Sequence, residues 1–488
     1  MSMRRFLSYT RCLALAAFLL LSGACGKSFR PDDLIIDKDN PMYVNLFAYN
    51  MMKGYYLWAD EVEEALGNWA MDEPDPVAKV ESLRYRDADG KLVDRWTKLY
   101  EDFDSFYDYV SGTRKSFGFD CKFYYANEEK TRVVAAILYT YAGGPAREAG
   151  LKRGDSIWEV NGKALTPDNY ARIFNEEIFS GDQVTLTMLD GTKETLTSVE
   201  MYENPIQLAT VFDRGGRKVG YLHFTSFTLD CWQELIDIFK DFKAQGIRDL
   251  ILDVRYNGGG YALTEGFLAS MLAPEADVAA GNVLSTEIYN SWLSEIYGVH
   301  KILLKTEHVR EVDGKNKVFS TQGANPGISH LYAIVESSSA SATEALIEDL
   351  YPYLPVTVVG RQTSGKYCAG QMRRATEWFE SNAEQLGNLA LGKNHVAGWG
   401  IYVMYSRFAD RDGVTRCMPD GLKPDYVVRD RPADGYQLGD PRETMLAATL
   451  ALIDGVAPVS AQSFVPRSTP EELPLERPTF RIVTPESR

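Results

Sequence analysis

The chain has 488 residues, a formal net charge of −16, and 45% hydrophobic and 12% aromatic residues. At ~100–200 residues per domain, that length predicts about three folded units, and the apolar content excludes a mainly disordered chain. The acidic balance, with no clustered Lys/Arg run, excludes phosphate-backbone recognition, so no nucleic acid partner is expected.

Residues 1–25 read as an export signal: Arg4-Arg5 precede an apolar run, Leu13 to Leu21, too short to span a bilayer, and the small residues Ser22-Gly23-Ala24 follow. Leu21-Ser22-Gly23-Ala24-Cys25 resembles a bacterial lipobox, with its leucine four rather than three residues before the cysteine. The resemblance implies that Cys25 is lipidated and anchors the chain in the cell envelope, on the periplasmic face or the cell surface. Residues 26–40, with Pro31-Asp32-Asp33, read as a tether. No later segment reaches ~18 consecutive apolar residues, so the lipid is the only membrane attachment expected. Beyond Cys12 and Cys25 stand Cys121, Cys231, Cys368 and Cys417. Export permits disulfides, and all three pairings are open, Cys368 with Cys417 among them. With five His residues, no HExxH and no Cys/His ligand spacing, neither a metal nor another cofactor is expected.

Residues 41–112 read as a small helical domain. Leu46, Tyr49, Met52 and Tyr56, then Leu99, Phe103, Phe106 and Tyr109, recur at helical spacing, interrupted at Pro74 and Pro76. In residues 113–203, Val133 to Ile137 and Gln183 to Met188 alternate as strands. Between them run Gly150-Leu151-Lys152-Arg153-Gly154-Asp155-Ser156-Ile157 and Val160-Asn161-Gly162, which resemble a PDZ domain. That resemblance puts Ser116-Phe117-Gly118-Phe119 in the carboxylate-binding loop. It implies that Phe117, Gly118 and Phe119 offer open amides to a polypeptide tail that adds as a strand.

Residues 204–435 alternate strands with helices, the pattern of a parallel sheet with crossover helices. Val219 to Phe224 is a strand; Asp230 is placed to cap a helix through Trp232, Leu235, Ile236, Phe239 and Phe242 that stops at Gly246. Leu250 to Val254 runs into Asn257-Gly258-Gly259-Gly260. Leu331 to Val335 runs into Ser337 to Ser341 and a helix from Ala342, and Val356 to Val359 into Thr363-Ser364-Gly365-Lys366. Residues 436–488 hold an amphipathic helix, Glu443 to Ile453, and a Pro-rich stretch, Pro466 to Pro485, expected to be extended or loose.

Ligands gather at the carboxyl ends of parallel strands, and a right-handed crossover puts consecutive strand ends on one edge. Ser341 and Lys366 can therefore meet. A serine hydroxyl needs an adjacent base, and a lysine serves when burial lowers its pKa. Ser341 at a helix start, facing the glycine turn, suggests an oxyanion hole built from the N–H groups of Gly259 and Ala342, with Gly258 a competing donor. Taken alone, Ser341 reads as an N-cap and Lys366 as a surface lysine; their conjunction with the turn carries the catalytic reading.

Ser339-Ala340-Ser341-Ala342-Thr343-Glu344, Gly365-Lys366, Leu252-Asp253-Val254-Arg255-Tyr256-Asn257-Gly258-Gly259-Gly260 and the PDZ-like run together resemble the C-terminal processing (tail-specific) serine peptidases over about residues 90–430. The resemblance implies a mixed α/β multidomain fold with a ClpP/crotonase-like core. It also implies Ser341 as nucleophile, Lys366 as general base, and unfolded or tail-exposed polypeptides as substrates. The family's Gln four residues after the lysine is Gly370 here, with Gln371 next; Gln371 is the candidate third member. The family's Asn-Pro-Gly-Gly reads Asn257-Gly258-Gly259. Two other readings stand beside this one: an inactive scaffold that binds polypeptide tails, and a Ser–His peptidase of the tricorn type using His223. Asp253 and Arg255 read as structural, and nothing in the sequence specifies an oligomeric state.

Overall fold

The structure is a computed structural model that describes residues 41–456, 471–474 and 480–482. The signal, Cys25, the tether and most of the Pro-rich stretch lie outside these residues.

The N-terminal region is not a separate helical domain. Helix α1 (Met42–Tyr55) buries Phe47, Ala48, Met51 and Met52. Pro76 opens a short helix rather than breaking one: at the first helical position its missing N–H has no intrahelical partner to lose, and Asp75 accepts the Ala78 N–H. Leu99 lies on strand β1 (Lys98–Tyr100), which pairs antiparallel with Gly400–Tyr402. Helix α2 (Phe103–Ser111) follows, capped by Asp102. One hydrophobic core takes in Tyr43, Phe47, Phe103, Trp232, Leu346 and Tyr402 together, so these segments fold onto the α/β body.

Residues 113–203 form a β-domain with its own core around Phe123, Ile137, Ile157 and Leu186. Strands β2 (Phe119–Tyr125), β3 (Val133–Thr140), β4 (Ser156–Val160) and β5 (Gln183–Met188) are adjacent in one sheet. Arg153 leaves this domain to bond Asp430 at 2.5 Å, and a Cβ on Gly154 would meet Pro432 O at 2.8 Å. The β-domain is therefore in close contact with the body.

The body carries a six-stranded sheet. Strand β6 (Ile206–Arg214) pairs antiparallel with β7 (Arg217–Phe224), and β8 (Asp249–Asp253) follows in parallel with β7. The short strand β9 (Gly259–Tyr261) belongs to a second sheet, whereas β10 (His330–Val335) and β11 (Val356–Gly360) continue the parallel run. Strand β8 and, beyond His330, strand β10 are buried, as the continuous apolar runs Leu250–Leu252 and Leu331–Val335 require. The second sheet, which the local pattern does not announce, contains β12 (Cys368–Arg374) and β13 (Gly400–Asp410), paired antiparallel. Helix α3 (Trp232–Gln245) stops at the left-handed Gly246, but Asp230 does not cap it; Asp230 pairs with Arg310 at 3.0 Å. Helix α4 (Ala342–Leu350) is wholly buried, and α5 (Thr444–Ile453) packs against the outer face of the parallel sheet.

Cys121, Cys231, Cys368 and Cys417 are all buried, and Cys368 and Cys417 are not joined by a disulfide. Cys368 Sγ sits 3.3 Å from Met404 Sδ instead. Within the Pro-rich stretch the described residues are ordered as strands: β14 (Glu472–Leu473) joins β2, and β15 (Phe480–Ile482) joins β9.

Candidate active site

Strand β10 ends in the loop that carries Ser341, and β11 in the loop that carries Lys366; the strands are parallel neighbours, which brings the loops together. Glu344, one turn into α4, fixes them to each other. Its Oε2 accepts the Ser341 N–H at 2.9 Å and the Lys366 N–H at 2.8 Å, and its Oε1 accepts the Gly365 N–H at 2.7 Å. The two backbone nitrogens are thus no farther apart than the sum of the first two lengths. Burial leaves the Glu344 carboxyl above its usual range, although the Thr363 hydroxyl and these N–H donors act to lower it.

Ser341 has φ 61° and ψ −117°, a left-handed backbone in which a non-glycine residue is strained. Ser341 is fully buried, and among the described residues its Oγ has no hydrogen-bond partner. It is therefore not bonded to Lys366 here; catalytic hydrogen bonds are often long in substrate-free enzymes and tighten around a substrate.

Lys366 is fully buried. Desolvation brings its pKa from 10.5 down to about 7, against smaller opposing effects of Cys368, Asp94 and Glu344. Its Nζ donates to Tyr402 Oη at 3.0 Å and lies 5.7 Å from the Trp96 ring centroid. Neither partner was legible locally: Trp96 comes from the N-terminal region and Tyr402 from β13 in the second sheet. Glu344 had a local signal, since Ser-x-x-Glu at a helix start is the pattern by which the glutamate reaches back to the first N–H.

Gln371 does not orient the lysine. Its Oε1 accepts from Arg373 at 3.0 and 2.6 Å, because alternation on β12 sends residues 370 and 371 to opposite faces. A Cβ on Gly370 would fall 2.4 Å from Tyr402 Cζ, so the tyrosine ring occupies the space a side chain at 370 would take.

The oxyanion assignment changes in part. The Gly259 N–H donates to Asn257 Oδ1 at 2.9 Å and is engaged. Ala342 is the first residue of α4, where an N–H has no intrahelical acceptor. Gly258 lines a cavity of about 360 Å³ between the turn and the β-domain, together with Phe117, Phe119, Tyr139, Phe179 and Ser338. The Phe117-Gly118-Phe119 loop is closed at its middle: the Gly118 N–H goes to Ser116 Oγ at 3.0 Å, and a Cβ on Gly118 would meet Gly144 Cα at 2.8 Å.

His223 is buried with neither ring nitrogen hydrogen-bonded among the described residues. Its ring abuts Tyr139 and Tyr256, and burial lowers its pKa to about 4. Asp253 and Arg255 belong to a buried ion network in which Arg255 bonds Asp253 at 2.7 Å, Glu443 at 2.8 Å and Asp430 at 3.0 Å. Among the described residues no group of three or more His, Cys, Asp or Glu is placed to hold a metal, and no helix is long and apolar enough to cross a membrane.

A strained serine heads a buried helix, and a desolvated lysine stands on the next loop of the same parallel sheet. Residues 218–428 match peptidase family S41. The chain is 26% identical over 335 residues to the carboxyl-terminal-processing protease of Synechocystis sp., covering 67% of this chain and 66% of that one. It is 24% identical over 255 residues to the carboxy-terminal processing protease CtpA of Bacillus subtilis, covering 51% of this chain and 47% of that one. The chain thus spans between about half and two thirds of these relatives' lengths. The crystal structure of an S41-type protein of Bacteroides fragilis NCTC 9343 superposes with a TM-score of 0.63 at 21% identity, covering 88% of this chain and 99% of the other; that likeness concerns the fold.

Proposed function

We propose that the chain is a serine endopeptidase that cleaves unfolded or tail-exposed polypeptides through an acyl-enzyme on Ser341. The observation that carries this reading is Lys366, buried beside the Ser341 loop with its pKa lowered to about 7. Near neutrality a large fraction of Nζ is unprotonated and able to take the Ser341 proton as Oγ attacks the scissile carbonyl. The same ammonium then protonates the leaving amine, and water, deprotonated by the lysine in turn, hydrolyses the ester. Tyr402 holds the lysine in place. Ala342 N–H, with Gly258 N–H from the turn, serves the developing oxyanion.

The β-domain acts in this reading as a PDZ domain that takes polypeptide tails on β2 and delivers them across the cavity to the turn, and Cys25 carries the lipid that keeps the exported enzyme in the cell envelope. The scaffold reading leaves the lowered lysine pKa without a purpose, and His223 is enclosed by tyrosines with a pKa too low for an effective base at pH 7. A fluorophosphonate probe tests the assignment: mass spectrometry should find the adduct on Ser341 in the parent chain, at a rate cut by about 10²-fold or more in Lys366→Ala. Labelling at the parental rate in Lys366→Ala, with loss in His223→Ala, would hand the base role to His223.

A further inference from the structure

Two strand edges of this molecule are filled by the chain itself. At the β-domain, β14 pairs antiparallel with β2, in the register Glu472 to Tyr124 and Leu473 to Phe123. The Tyr125 N–H donates to Glu471 O at 3.0 Å, and Leu473, 4% exposed, enters the β-domain core. The Glu472 carboxylate lies between two cations, Lys122 of β2 at 3.1 Å and Arg361 of the body at 3.1 Å. Arg361 also reaches Glu336, at the start of the Ser341 loop, at 3.3 Å. At the candidate active site, β15 runs parallel to β9, with Phe480 opposite Gly259, Arg481 opposite Gly260 and Ile482 opposite Tyr261, and Ile482 also pairs with Gly370 of β12.

We propose that residues 471–474 and 480–482 are a tethered ligand of their own chain, occupying the peptide-accepting edge β2 and the edge β9 beside the glycine turn, and that an incoming polypeptide must displace them. Extended peptides bind sheet edges through main-chain hydrogen bonds, with alternate side chains entering pockets. β14 shows both features, its backbone on β2 and Leu473 in the core. The β9 edge adjoins Gly258 and Gly259, so a strand there runs past the turn assigned to the oxyanion, where a scissile bond has to lie. Because the ligand is part of the chain, its effective concentration is ~mM without any partner. Glu472 makes the seat specific: it is held only where Lys122 and Arg361 face each other, so release of the segment also releases a link between the β-domain and the Ser341 loop. The catalytic half of this proposal rests on the peptidase reading; the binding half does not.

The test uses the exported chain, residues 26–488, carrying Ser341→Ala so that binding is read without turnover. The probe is a fluorescein-labelled peptide of residues 471–482, followed by polarisation. Glu472→Lys, at a partly exposed position, and Leu473→Asp each unseat the segment and should tighten probe binding by about tenfold or more, as removal of a tethered competitor does. Hydrogen exchange at the Tyr125 amide should accelerate in both variants. Equal probe affinity in parent and both variants, with Tyr125 exchange unchanged, would overturn the proposal. With Ser341 intact, both variants should cleave casein faster than the parent. Tighter probe binding in chains that never cleave casein would uphold the tethered ligand and sink the peptidase reading instead.

Discussion

Tyr402 Oη accepts a hydrogen bond from Lys366 Nζ at 3.0 Å while its ring lies over the bare Cα of Gly370. Tyr402 thus holds the lysine from β13, across the strand pair from position 370 of β12, the strand that follows the lysine loop. Tyr402→Phe keeps the ring and deletes the acceptor. Turnover should fall about 10- to 100-fold, and the alkaline-rising limb of the rate profile should move below about pH 7, since the lost bond favoured the ammonium. A uniform fall in rate with the profile unmoved would mean that the tyrosine serves only packing.

Gly370→Ala tests the same relationship sterically. The new Cβ would stand 2.4 Å from Tyr402 Cζ, an aromatic ring in a packed core that cannot swing aside. A loss of stability of about 1–3 kcal/mol is expected in urea unfolding, together with reduced turnover; an unchanged midpoint would show that the ring has room to move.

Lys366 also sets a pH signature. Its folded pKa of about 7 lies below the ordinary lysine value of 10.5, so above pH 7 the unfolded chain binds the proton that the folded chain has released. Stability therefore rises with pH between about 7 and 10 through this group, by up to about 1.4 kcal/mol per pH unit. Below pH 7 both states are protonated and the slope vanishes. Buried tyrosines and cysteines with raised pKa values, such as Tyr100 and Cys231, act oppositely at the alkaline end. The quantity to measure is the difference between the parent and Lys366→Met, which should grow smaller from pH 7 to 9. A difference independent of pH would contradict a depressed lysine pKa.

Glu344→Gln keeps the shape of the clamp but turns one acceptor into a donor facing backbone N–H groups. With the Ser341, Gly365 and Lys366 amides all directed at this carboxylate, the change should cost about 1–3 kcal/mol, measured by urea unfolding, and lower turnover as the two loops separate. Wild-type stability with full activity would remove Glu344 from the account.

The ion network under the site gives a contrasting pair. Arg255→Ala strands the buried Asp253 and Glu443 and should cost about 3–5 kcal/mol. Lys91→Ala, which removes an exposed pair with Asp420, should leave the unfolding midpoint where it is.

How far these features can be read from sequence depends on whether their signals are local. The runs Leu250–Leu252 and Leu331–Val335, with Val356–Val359 broken only by Thr357, are the near-continuous apolar segments expected of a parallel sheet buried on both faces. Once they are placed, the Ser341 and Lys366 loops follow as neighbours. The second sheet has no such signature, because β12 and β13 mix Gly, Gln, Arg and Tyr and are defined by what they face. Tyr402 and Trp96, which enclose Lys366, are therefore invisible locally. Gln371 misled because it stands one residue from the expected place, and on a strand one residue means the opposite face. Gly259 misled in a similar way: its N–H belongs to the Asn257 side chain within the same turn. The Pro-rich stretch carries no strand signal of its own, since β14 and β15 are short and take their order from the edges they join.

Cleavage of an unfolded protein tests the Ser341–Lys366 pair most directly. Casein incubated with residues 26–488, and with the Ser341→Ala and Lys366→Ala variants, should yield fragments by mass spectrometry only with the parent chain. Cleavage that persists in Lys366→Ala, or a parent chain that leaves casein intact even when Leu473→Asp has unseated the tethered segment, would contradict a Ser341–Lys366 peptidase.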